Sequence, residues 1–256
     1  MNAKSEGSRR EARRLCIPAE ALASEPIQIT GAALRHLQVL RLQRGDKLCL
    51  FDGAGLEILV RLTSVSADRA LAEVLSEVDG EVESPLACWV VQAIPVRPQR
   101  MDTVVRQLTE IGVVAILPVL SERSQSFSRV DDALQKRHRR WERIAAAAAE
   151  QCHRRLVPRI LPPEFLARID WDEVPAPVLL LDPSAEARPV REIVAELRPR
   201  GVTVMIGPEG GWSAAELDHM SSRGALHASL GPRVLRTETA GLAVVSIVMH
   251  CWGDLG

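Results

Sequence analysis

The sequence predicts an α/β fold in two parts, a small and mainly antiparallel β-barrel followed by a larger part built on a parallel sheet. Three observations predict it. Short strand-like runs separated by turns fill residues 13–82, strands and helices alternate from residue 87 onward, and two glycine-bearing segments follow apolar strands near the carboxyl end. The chain has 256 residues, 46% of them hydrophobic, which is enough for two modest domains with buried cores.

The amino-terminal part is expected to follow a disordered leader over residues 1–12 and to end near residue 82. Its apolar and β-branched runs predict a helix over residues 32–42 and five strands, at residues 15–17, 27–30, 47–51, 56–64 and 69–77. Strands this short favour a small barrel. On these residues alone, a barrel without a binding role is the preferred interpretation.

The remainder of the chain is expected to form one α/β domain over residues 83–256, after an acidic linker at residues 79–85. Apolar runs and helical periodicity predict nine elements. The strands are predicted at residues 87–94, 113–120, 178–181, 202–206 and 225–230, and the helices at residues 99–112, 131–153, 189–197 and 240–249. Such alternation favours a parallel sheet covered by helices on both faces.

Two segments near the carboxyl end carry the strongest functional signal: Ile206-Gly-Pro-Glu-Gly-Gly-Trp-Ser213 and Leu230-Gly-Pro-Arg-Val-Leu-Arg-Thr-Glu-Thr-Ala-Gly241. Each follows a strand and leads into a helix, and open α/β sheets bind ligands at the carboxyl ends of their strands. Glycine lets the backbone approach a ligand closely because it has no Cβ. Two such segments can form two walls of one pocket, although each by itself is also typical of an ordinary strand-to-helix turn.

Helices are predicted to begin after both segments. Ser213 and Glu216 have the spacing of a capping box, in which each side chain accepts a hydrogen bond from the other residue's backbone. After the second segment, the hydroxyl of Thr237 or Thr239 is predicted to cap the helix.

Positive charge is concentrated although the formal net charge is only −1. Residues 97–159 hold 13 basic and 7 acidic side chains, and arginine accounts for 29 of the 32 cations in the chain. Arginine makes forked contacts with phosphate, so this composition suits RNA, although a genomic preference for arginine codons has the same effect. The scarcity of aromatic residues argues against a base-stacking sheet like that of an RNA recognition motif.

Composition also excludes several classes of protein. Five cysteines without a Cys-x-x-Cys spacing indicate reduced thiols in a cytoplasmic protein and no structural zinc, and the six histidines lack a metal-ligand spacing. The longest apolar stretch, at residues 242–249, is shorter than the roughly 20 residues that cross a bilayer. No signal peptide is expected, because the arginine-rich start lacks an apolar run.

Taken in order, the two glycine-bearing segments resemble those of the bacterial small-subunit ribosomal RNA uridine-N3 methyltransferases, a branch of the SPOUT superfamily of S-adenosylmethionine-dependent enzymes. The resemblance extends over nearly the whole chain, through Arg-Leu-Gln-Arg-Gly-Asp-Lys-Leu at residues 41–48, Leu-Thr-Glu-Ile-Gly at 108–112, Ser-Glu-Arg-Ser at 121–124 and Arg-Trp-Glu-Arg-Ile at 140–144. The sequence departs from the family pattern in four places: Gln107 replaces a frequent lysine, Trp212 the usual phenylalanine, Gly241 the usual alanine, and Cys152-His153 the small residues that usually follow the Glu-Gln pair.

The resemblance implies a fold and a set of partners. Residues 83–256 would form a SPOUT-type parallel sheet with a deep trefoil knot, and residues 13–82 a PUA-like RNA-binding β-barrel. Three knot loops, at residues 181–186, 207–211 and 231–240, would hold a bent S-adenosylmethionine. The partners implied are small-subunit ribosomal RNA, free or in its assembled particle, and a second copy of the chain in a homodimer.

The resemblance also implies the cofactor-binding residues. Backbone groups and small side chains of the knot loops would form an apolar slot for the adenine, and Glu209 would position the ribose and amino-acid portions. The residues predicted to bind the cofactor are Leu180, Gly207, Pro208, Glu209, Gly210, Gly211, Leu230, Gly231, Leu235, Arg236, Thr237, Glu238 and Thr239.

Catalysis of this type needs a cation near the substrate, because N3 of uridine must lose a proton and charge develops on the uracil oxygens. Arg236 is the first candidate for that role and Arg123 the second, while a purely structural pairing of Arg236 with Glu238 or Glu209 is the alternative. The arginines predicted to contact RNA are Arg13, Arg14, Arg41, Arg100, Arg140, Arg143, Arg154 and Arg155.

Three other functions are open at this point. A nucleotide-binding oxidoreductase would also use glycine loops, but neither Gly-x-Gly-x-x-Gly nor Gly-x-x-x-x-Gly-Lys-Ser/Thr occurs in the chain. A non-catalytic RNA-binding protein would account for the barrel and the basic blocks. A SPOUT enzyme that acts on another RNA, or on a ribose 2′-hydroxyl, would share the same motifs.

Overall fold

The structure is a computed structural model that describes residues 13–80, 82–124, 132–184 and 186–256. The predicted leader over residues 1–12 lies outside the described residues. The chain divides into two compact units, Met1–Glu83 with Ala149–Val157, and Ser84–Ala148 with Pro158–Gly256. The sequence prediction assigned Ala149–Val157 to the second part, whereas these residues belong to the first unit because their backbone carbonyls are bound by a buried arginine of that unit.

The first unit contains one mixed sheet. Its strand order is β1-β3-β4-β5-β2, and all described pairs are antiparallel except β1 with β3, which is parallel. All five predicted strands and the mainly antiparallel character are therefore confirmed. The elements are β1 (Arg13–Cys16), α1 (Ala19–Leu22), β2 (Ile27–Ile29), α2 (Gly31–Val39), β3 (Lys47–Phe51), β4 (Glu57–Val65) and β5 (Ala70–Glu77).

Two differences from the prediction concern helices of this unit. Helix α2 ends at Val39 instead of residue 42, and Arg41 beyond it has a φ of 55°, in the left-handed region that a helix cannot include. Helix α1 was not predicted because a single turn is too short to show helical periodicity. The hydrophobic core lies between α2 and the sheet, with Leu37 and Leu48 fully buried.

A buried ion triad stabilises this unit. Glu57 on β4, whose side chain is fully buried, accepts hydrogen bonds from Arg14 Nε at 2.7 Å and from Arg155 Nε at 3.2 Å. The Arg14 guanidinium also donates to the main-chain oxygens of Ala149 and Arg154, both at 2.9 Å. The triad and these hydrogen bonds thus hold residues 149–157 against the first sheet. The two arginines compensate the charge of the Glu57 carboxylate, as a buried carboxylate requires.

The second unit contains one parallel sheet. Its order is β11-β13-β10-β12-β6-β7-β8, with β9 beside β7, and all described pairs are parallel, as predicted. The elements are β6 (Ala87–Ala93), α3 (Pro98–Glu110), β7 (Ala115–Leu120), α4 (Asp132–Cys152), β8 (Arg159–Ile160), β9 (Glu164–Phe165), β10 (Val178–Leu181), β11 (Arg188–Pro189), α5 (Val190–Glu196), β12 (Gly201–Ile206), α6 (Ala214–Ser222), β13 (Leu226–Ser229) and α7 (Thr237–Trp252).

The sheet order places three strand ends side by side. Strand β10 pairs with β13 on one side and with β12 on the other, so the loops that leave these three strands meet at one edge of the sheet. Strand β12 is buried from Val202 through Ile206, because helix α7 packs on the sheet over it. The predicted knot stays a prediction. Within the described ranges, no helix is both long enough and apolar enough to cross a membrane.

We expect Glu57→Gln to lower the free energy of unfolding by about 3–5 kcal/mol, since the substitution leaves two arginines without their buried counter-charge. Urea unfolding followed by circular dichroism measures this change. Glu73→Gln is the matched control, because Glu73 forms an exposed pair with Arg61 on a neighbouring strand and should cost less than about 1 kcal/mol. Equal losses in the two variants would contradict the role assigned to the triad.

Candidate functional site

Both glycine-bearing segments line one cavity of about 570 Å³ in the second unit. The cavity lies where β10, β12 and β13 end, and its wall includes Leu181 at the end of β10 and Asp182 and Pro183 in the loop after it. The predicted arrangement of the two segments as walls of one pocket is therefore confirmed. It follows from the parallel order of the three strands, which brings their carboxyl ends to one edge.

Most of the predicted cofactor residues line this cavity, and three do not. Leu180 is fully buried in the sheet, because successive residues of a strand point to opposite faces and Leu181 takes the cavity side. Glu238 and Thr239 lie on α7 between two lining residues, Thr237 and Ala240, but do not line the cavity themselves. The lining residues are Gly207, Pro208, Glu209, Gly210, Gly211, Leu230, Gly231, Leu235, Arg236 and Thr237.

The first glycine-bearing segment is rigidly connected to helix α6. A Cβ on Gly207 would lie 3.1 Å from the Trp212 ring nitrogen, so glycine allows the indole to pack against the loop. The predicted capping box is confirmed: Ser213 Oγ accepts from Glu216 N at 3.2 Å, and Glu216 Oε2 accepts from Ser213 N at 2.8 Å. The second oxygen of Glu216 accepts from the backbone N of Glu122 at 2.8 Å, which brings the neighbouring segment to the loop.

Two arginines of the cavity wall hold this loop. Arg123 Nη1 donates to the carbonyl of Gly210 at 2.9 Å. Arg100 Nη1 donates to Glu209 Oε1 at 2.8 Å, and the other oxygen of Glu209 accepts from the backbone N of Val96 at 3.1 Å. Arg100 also lies 3.7 Å from a carboxylate oxygen of Glu238. Arg100 is thus committed to two carboxylates and is a structural residue of the site, not the free phosphate ligand that the sequence predicted.

The predicted caps of α7 are wrong, because Arg236 occupies the capping position and neither threonine hydroxyl caps the helix. The buried Thr237 hydroxyl instead donates to the carbonyl of Gly207 at 2.9 Å and accepts from Gln92 Nε2 at 2.9 Å. Gln92 is fully buried at the end of β6 and was not predicted as a site residue. Its partner lies 145 residues away, so nothing local in the sequence indicates the contact.

Arg236 is exposed at the cavity. Within the part of the chain that the structure describes, no carboxylate lies within ion-pair distance of it, and Glu209 and Glu238 are both paired with Arg100. The structural alternative, in which Arg236 merely pairs with one of these carboxylates, is therefore not observed. Its backbone carbonyl accepts from the N–H of Thr239 and Ala240, which fixes the residue at the first turn of α7.

Several cavity residues were not named individually by the sequence prediction, although some of them lie in the loops at residues 181–186 and 231–240 that were predicted to hold the cofactor. Asp182 is the most informative, because its carboxylate is bound by His227 Nδ1 at 2.8 Å and by Ser184. Burial by itself raises the pKa of Asp182, but the hydrogen bonds from His227 and Ser184 outweigh it and the pKa is lowered overall. The carboxylate is consequently ionised at neutral pH. The other lining residues that were not named individually are Leu181, Pro183, Ile206, Trp212, Leu217, Ala228, Ser229, Arg233, Val234 and Ala240.

The other arginines that were predicted to contact RNA differ in how far they are exposed. Arg14 and Arg154 are only 5% and 4% exposed, which corrects the prediction that they contact RNA. Arg155 is half-buried against Glu57. A count of arginines cannot distinguish buried from exposed ones, which explains the error. The exposed members are Arg13, Arg41, Arg140 and Arg143, of which Arg140 pairs with Asp102 at 2.9 Å.

Both parts of the chain match families of known proteins. The family model described as an RNA methyltransferase domain matches residues 82–249, and the model described as an RNA methyltransferase PUA domain matches residues 29–75. Ribosomal RNA small subunit methyltransferase E of Bacillus subtilis is 31% identical over 87% of this chain and 89% of its own length. The protein of the same name from Synechocystis is 30% identical over 93% of this chain and 77% of its own length.

Solved structures agree. A methyltransferase from Legionella pneumophila, solved in complex with the bound cofactor SAM, superposes with a TM-score of 0.86 at 32% identity, over 96% of this chain and 100% of that one. Ribosomal RNA small subunit methyltransferase E from Neisseria gonorrhoeae, bound to S-adenosyl methionine, has a TM-score of 0.85 at 33% identity with the same coverage. The chain therefore belongs to the RNA methyltransferase family, with an amino-terminal PUA-like domain and a SPOUT-type α/β domain.

Proposed function

We propose that this chain transfers the methyl group of S-adenosylmethionine to N3 of a specific uridine in small-subunit ribosomal RNA. The observation that carries the proposal is the single cavity formed by loops at the ends of β10, β12 and β13. It belongs to a chain that matches, over 96% of its length, a small-subunit ribosomal RNA methyltransferase solved with this cofactor. We further propose that the protein acts in the cytoplasm as a homodimer and that residues 13–82 contribute to RNA binding.

The cavity fits the cofactor in size and in chemistry. Its volume of about 570 Å³ lies within the range of roughly 300–1,000 Å³ that is typical of small-molecule sites. Leu181, Ile206 and Leu235 supply apolar walls for the adenine, and the two glycine-bearing loops supply backbone N–H and C=O groups. Once bound, the cofactor supplies an electrophilic methyl group on a sulfonium, so the transfer requires no metal.

Arg236 is the residue best suited to activate the uridine. The uracil imide becomes more nucleophilic as N3 loses its proton, and the negative charge spreads to the neighbouring oxygens. An exposed guanidinium without a carboxylate partner among the described residues can stabilise that charge as it develops. Arg123 is less suited, because its guanidinium already donates to the carbonyl of Gly210 and so positions the loop.

The other functions considered account for fewer observations. A non-catalytic RNA-binding protein has no need for a cavity between two glycine-bearing loops, and the family matches argue against an oxidoreductase. Methylation of a ribose or of another RNA would use the same cavity.

The direct test of the proposed function incubates the protein and labelled S-adenosylmethionine with small subunits from cells that lack the enzyme. Mass spectrometry of the nucleosides should find 3-methyluridine, and a 2′-O-methyl product would contradict the proposal.

We expect Arg236→Ala to slow methyl transfer by about 10²- to 10³-fold, since one preorganised electrostatic group is lost from the transition state. Single-turnover kinetics with saturating cofactor measures the rate, and calorimetry should find the affinity for S-adenosylmethionine unchanged. Arg223→Ala, an exposed arginine that does not line the cavity, is the control and should keep full activity. Full methyl transfer by Arg236→Ala would exclude the role proposed for Arg236.

The exposed arginines of α4 are expected to bind RNA phosphates. Replacing Arg140 and Arg143 together by glutamine should reduce the slope of log affinity against log salt by roughly one for each phosphate ion pair removed, because fewer counterions are released. Filter binding to a small-subunit RNA fragment between low and moderate salt measures the slope. Arg191→Gln, with a side chain 84% exposed elsewhere in the second unit, should leave it unchanged. An unaltered slope in the double variant would mean that these arginines only solvate the helix.

A further inference from the structure

Asp182 is a cavity residue whose charge the proposed function does not yet use. Of the described residues that line the cavity, four are arginines, and two, Glu209 and Asp182, carry carboxylates. Glu209 is neutralised by Arg100 at 2.8 Å. Asp182, by contrast, forms its described ion pair with His227, and no arginine among the described residues pairs with it. It is therefore the negative charge that remains available to a ligand.

The Asp182 carboxylate is held in one orientation. Its Oδ1 accepts from the backbone N of Ser184 at 2.9 Å, and its Oδ2 accepts from Ser184 Oγ at 2.9 Å and from His227 Nδ1 at 2.8 Å. The backbone N of Asp182 donates to Ala228 O at 3.1 Å, which ties the residue to β13. A carboxylate has about four acceptor positions, so three bonds from the protein leave room for a donor or cation from the cavity.

His227 is in turn oriented by Ser221. Its Nε2 lies 2.7 Å from Ser221 Oγ, and that hydroxyl is also 2.7 Å from the carbonyl of Leu217. An ionised carboxylate can only accept, so Nδ1 of His227 carries the proton in the hydrogen bond to Asp182. The hydrogen bonds link Ser221, His227 and Asp182 in the same order as the side chains of a hydrolytic triad. Here, however, the aspartate lines the cavity, and the serine is exposed outside it. The arrangement therefore presents a carboxylate to a ligand and not a nucleophile.

We propose that Asp182 recognises a positive charge of S-adenosylmethionine and that His227 is the positioning residue that fixes its carboxylate. The inference rests on the proposed function. The arginines that line the cavity attract the carboxylate of the ligand but repel its sulfonium and its ammonium, and a buried carboxylate among them offsets this repulsion. Two groups of the cofactor can be the source of the charge, and they differ in one respect. The sulfonium is lost on methyl transfer, whereas the ammonium is kept by the product.

Three ligands distinguish these sources by calorimetry with the full chain. S-adenosylmethionine carries the sulfonium, the ammonium and a carboxylate, S-adenosylhomocysteine keeps the ammonium and the carboxylate, and 5′-methylthioadenosine keeps the adenine and ribose without any of these charges. We expect Asp182→Asn to weaken S-adenosylmethionine about 10- to 100-fold, as for a lost hydrogen bond to a charged group, and to change 5′-methylthioadenosine less than about 2-fold. A matching loss for S-adenosylhomocysteine identifies the ammonium, and an unchanged affinity identifies the sulfonium.

Equal weakening of all three ligands, or of none, would overturn the inference, because a role in ribose binding or in folding does not depend on ligand charge. Asp218→Asn is the matched control, since Asp218 is an exposed carboxylate on α6 that does not line the cavity. It should bind all three ligands like the wild type. If the wild type binds none of them, the proposed function itself fails. The inference alone fails if the wild type binds all three ligands and Asp182→Asn weakens them all equally or not at all.

Substitution of His227 gives a second and independent test. His227→Leu removes the donor to Asp182 and should weaken S-adenosylmethionine about 3- to 10-fold, as for one lost hydrogen bond, with 5′-methylthioadenosine unchanged. His227→Asn places an amide near the position of Nδ1 and should restore most of the affinity. Wild-type affinity in His227→Leu would refute the positioning role. This pair of variants also decides the question if Asp182→Asn does not fold, which its thermal unfolding curve will show.

Discussion

The Thr237 hydroxyl is the interaction on which the geometry of the candidate site depends. It links the carbonyl of Gly207, in the first glycine-bearing segment, to the amide of Gln92 at the centre of the sheet, with both hydrogen bonds at 2.9 Å. The same residue is the first of helix α7, so the start of that helix, and with it Arg236, is fixed relative to both segments. Because the group is buried, each lost bond would leave an unsatisfied polar atom. The cavity walls therefore hold a defined spacing.

Charge pairing around the cavity decides which groups are available for chemistry. Arg100 engages Glu209 and Glu238, and Arg123 donates to a loop carbonyl, so these arginines stabilise the loops. Arg233, Arg236 and Asp182 are left facing the cavity, with charges of the two signs that a cationic cofactor and a substrate that develops negative charge require. The site thus separates the arginines that build it, Arg100 and Arg123, from those that are left for a ligand or a substrate.

The arginines of the first unit also divide into structural ones and ones that are available to a partner. Arg14 and Arg154 lie in a basic stretch of the sequence but are buried, and Arg14 forms a triad with Glu57 and Arg155. Arg14 also stacks over Phe51, with its guanidinium carbon 4.4 Å from the ring centroid. A buried guanidinium is tolerated only where its donors are satisfied, and here backbone carbonyls and a carboxylate satisfy them. The surface that remains for RNA is consequently smaller than the arginine content indicates.

Local and periodic signals in the sequence determined ten of the thirteen described strands, the parallel sheet, the two glycine-bearing segments and the capping box of Ser213 with Glu216, because each depends on residues a few positions apart. The two-residue strands β8, β9 and β11 are too short to show a periodic pattern and were not predicted. Only the tertiary structure decided that Leu181 and not Leu180 faces the cavity, that Thr237 binds Gln92 and that His227 holds Asp182. The physical reason is that these partners are separated by 145 and 45 residues in the two hydrogen bonds. Strand order and packing create such contacts, and the residues near each partner in the sequence do not indicate which distant residue it will contact.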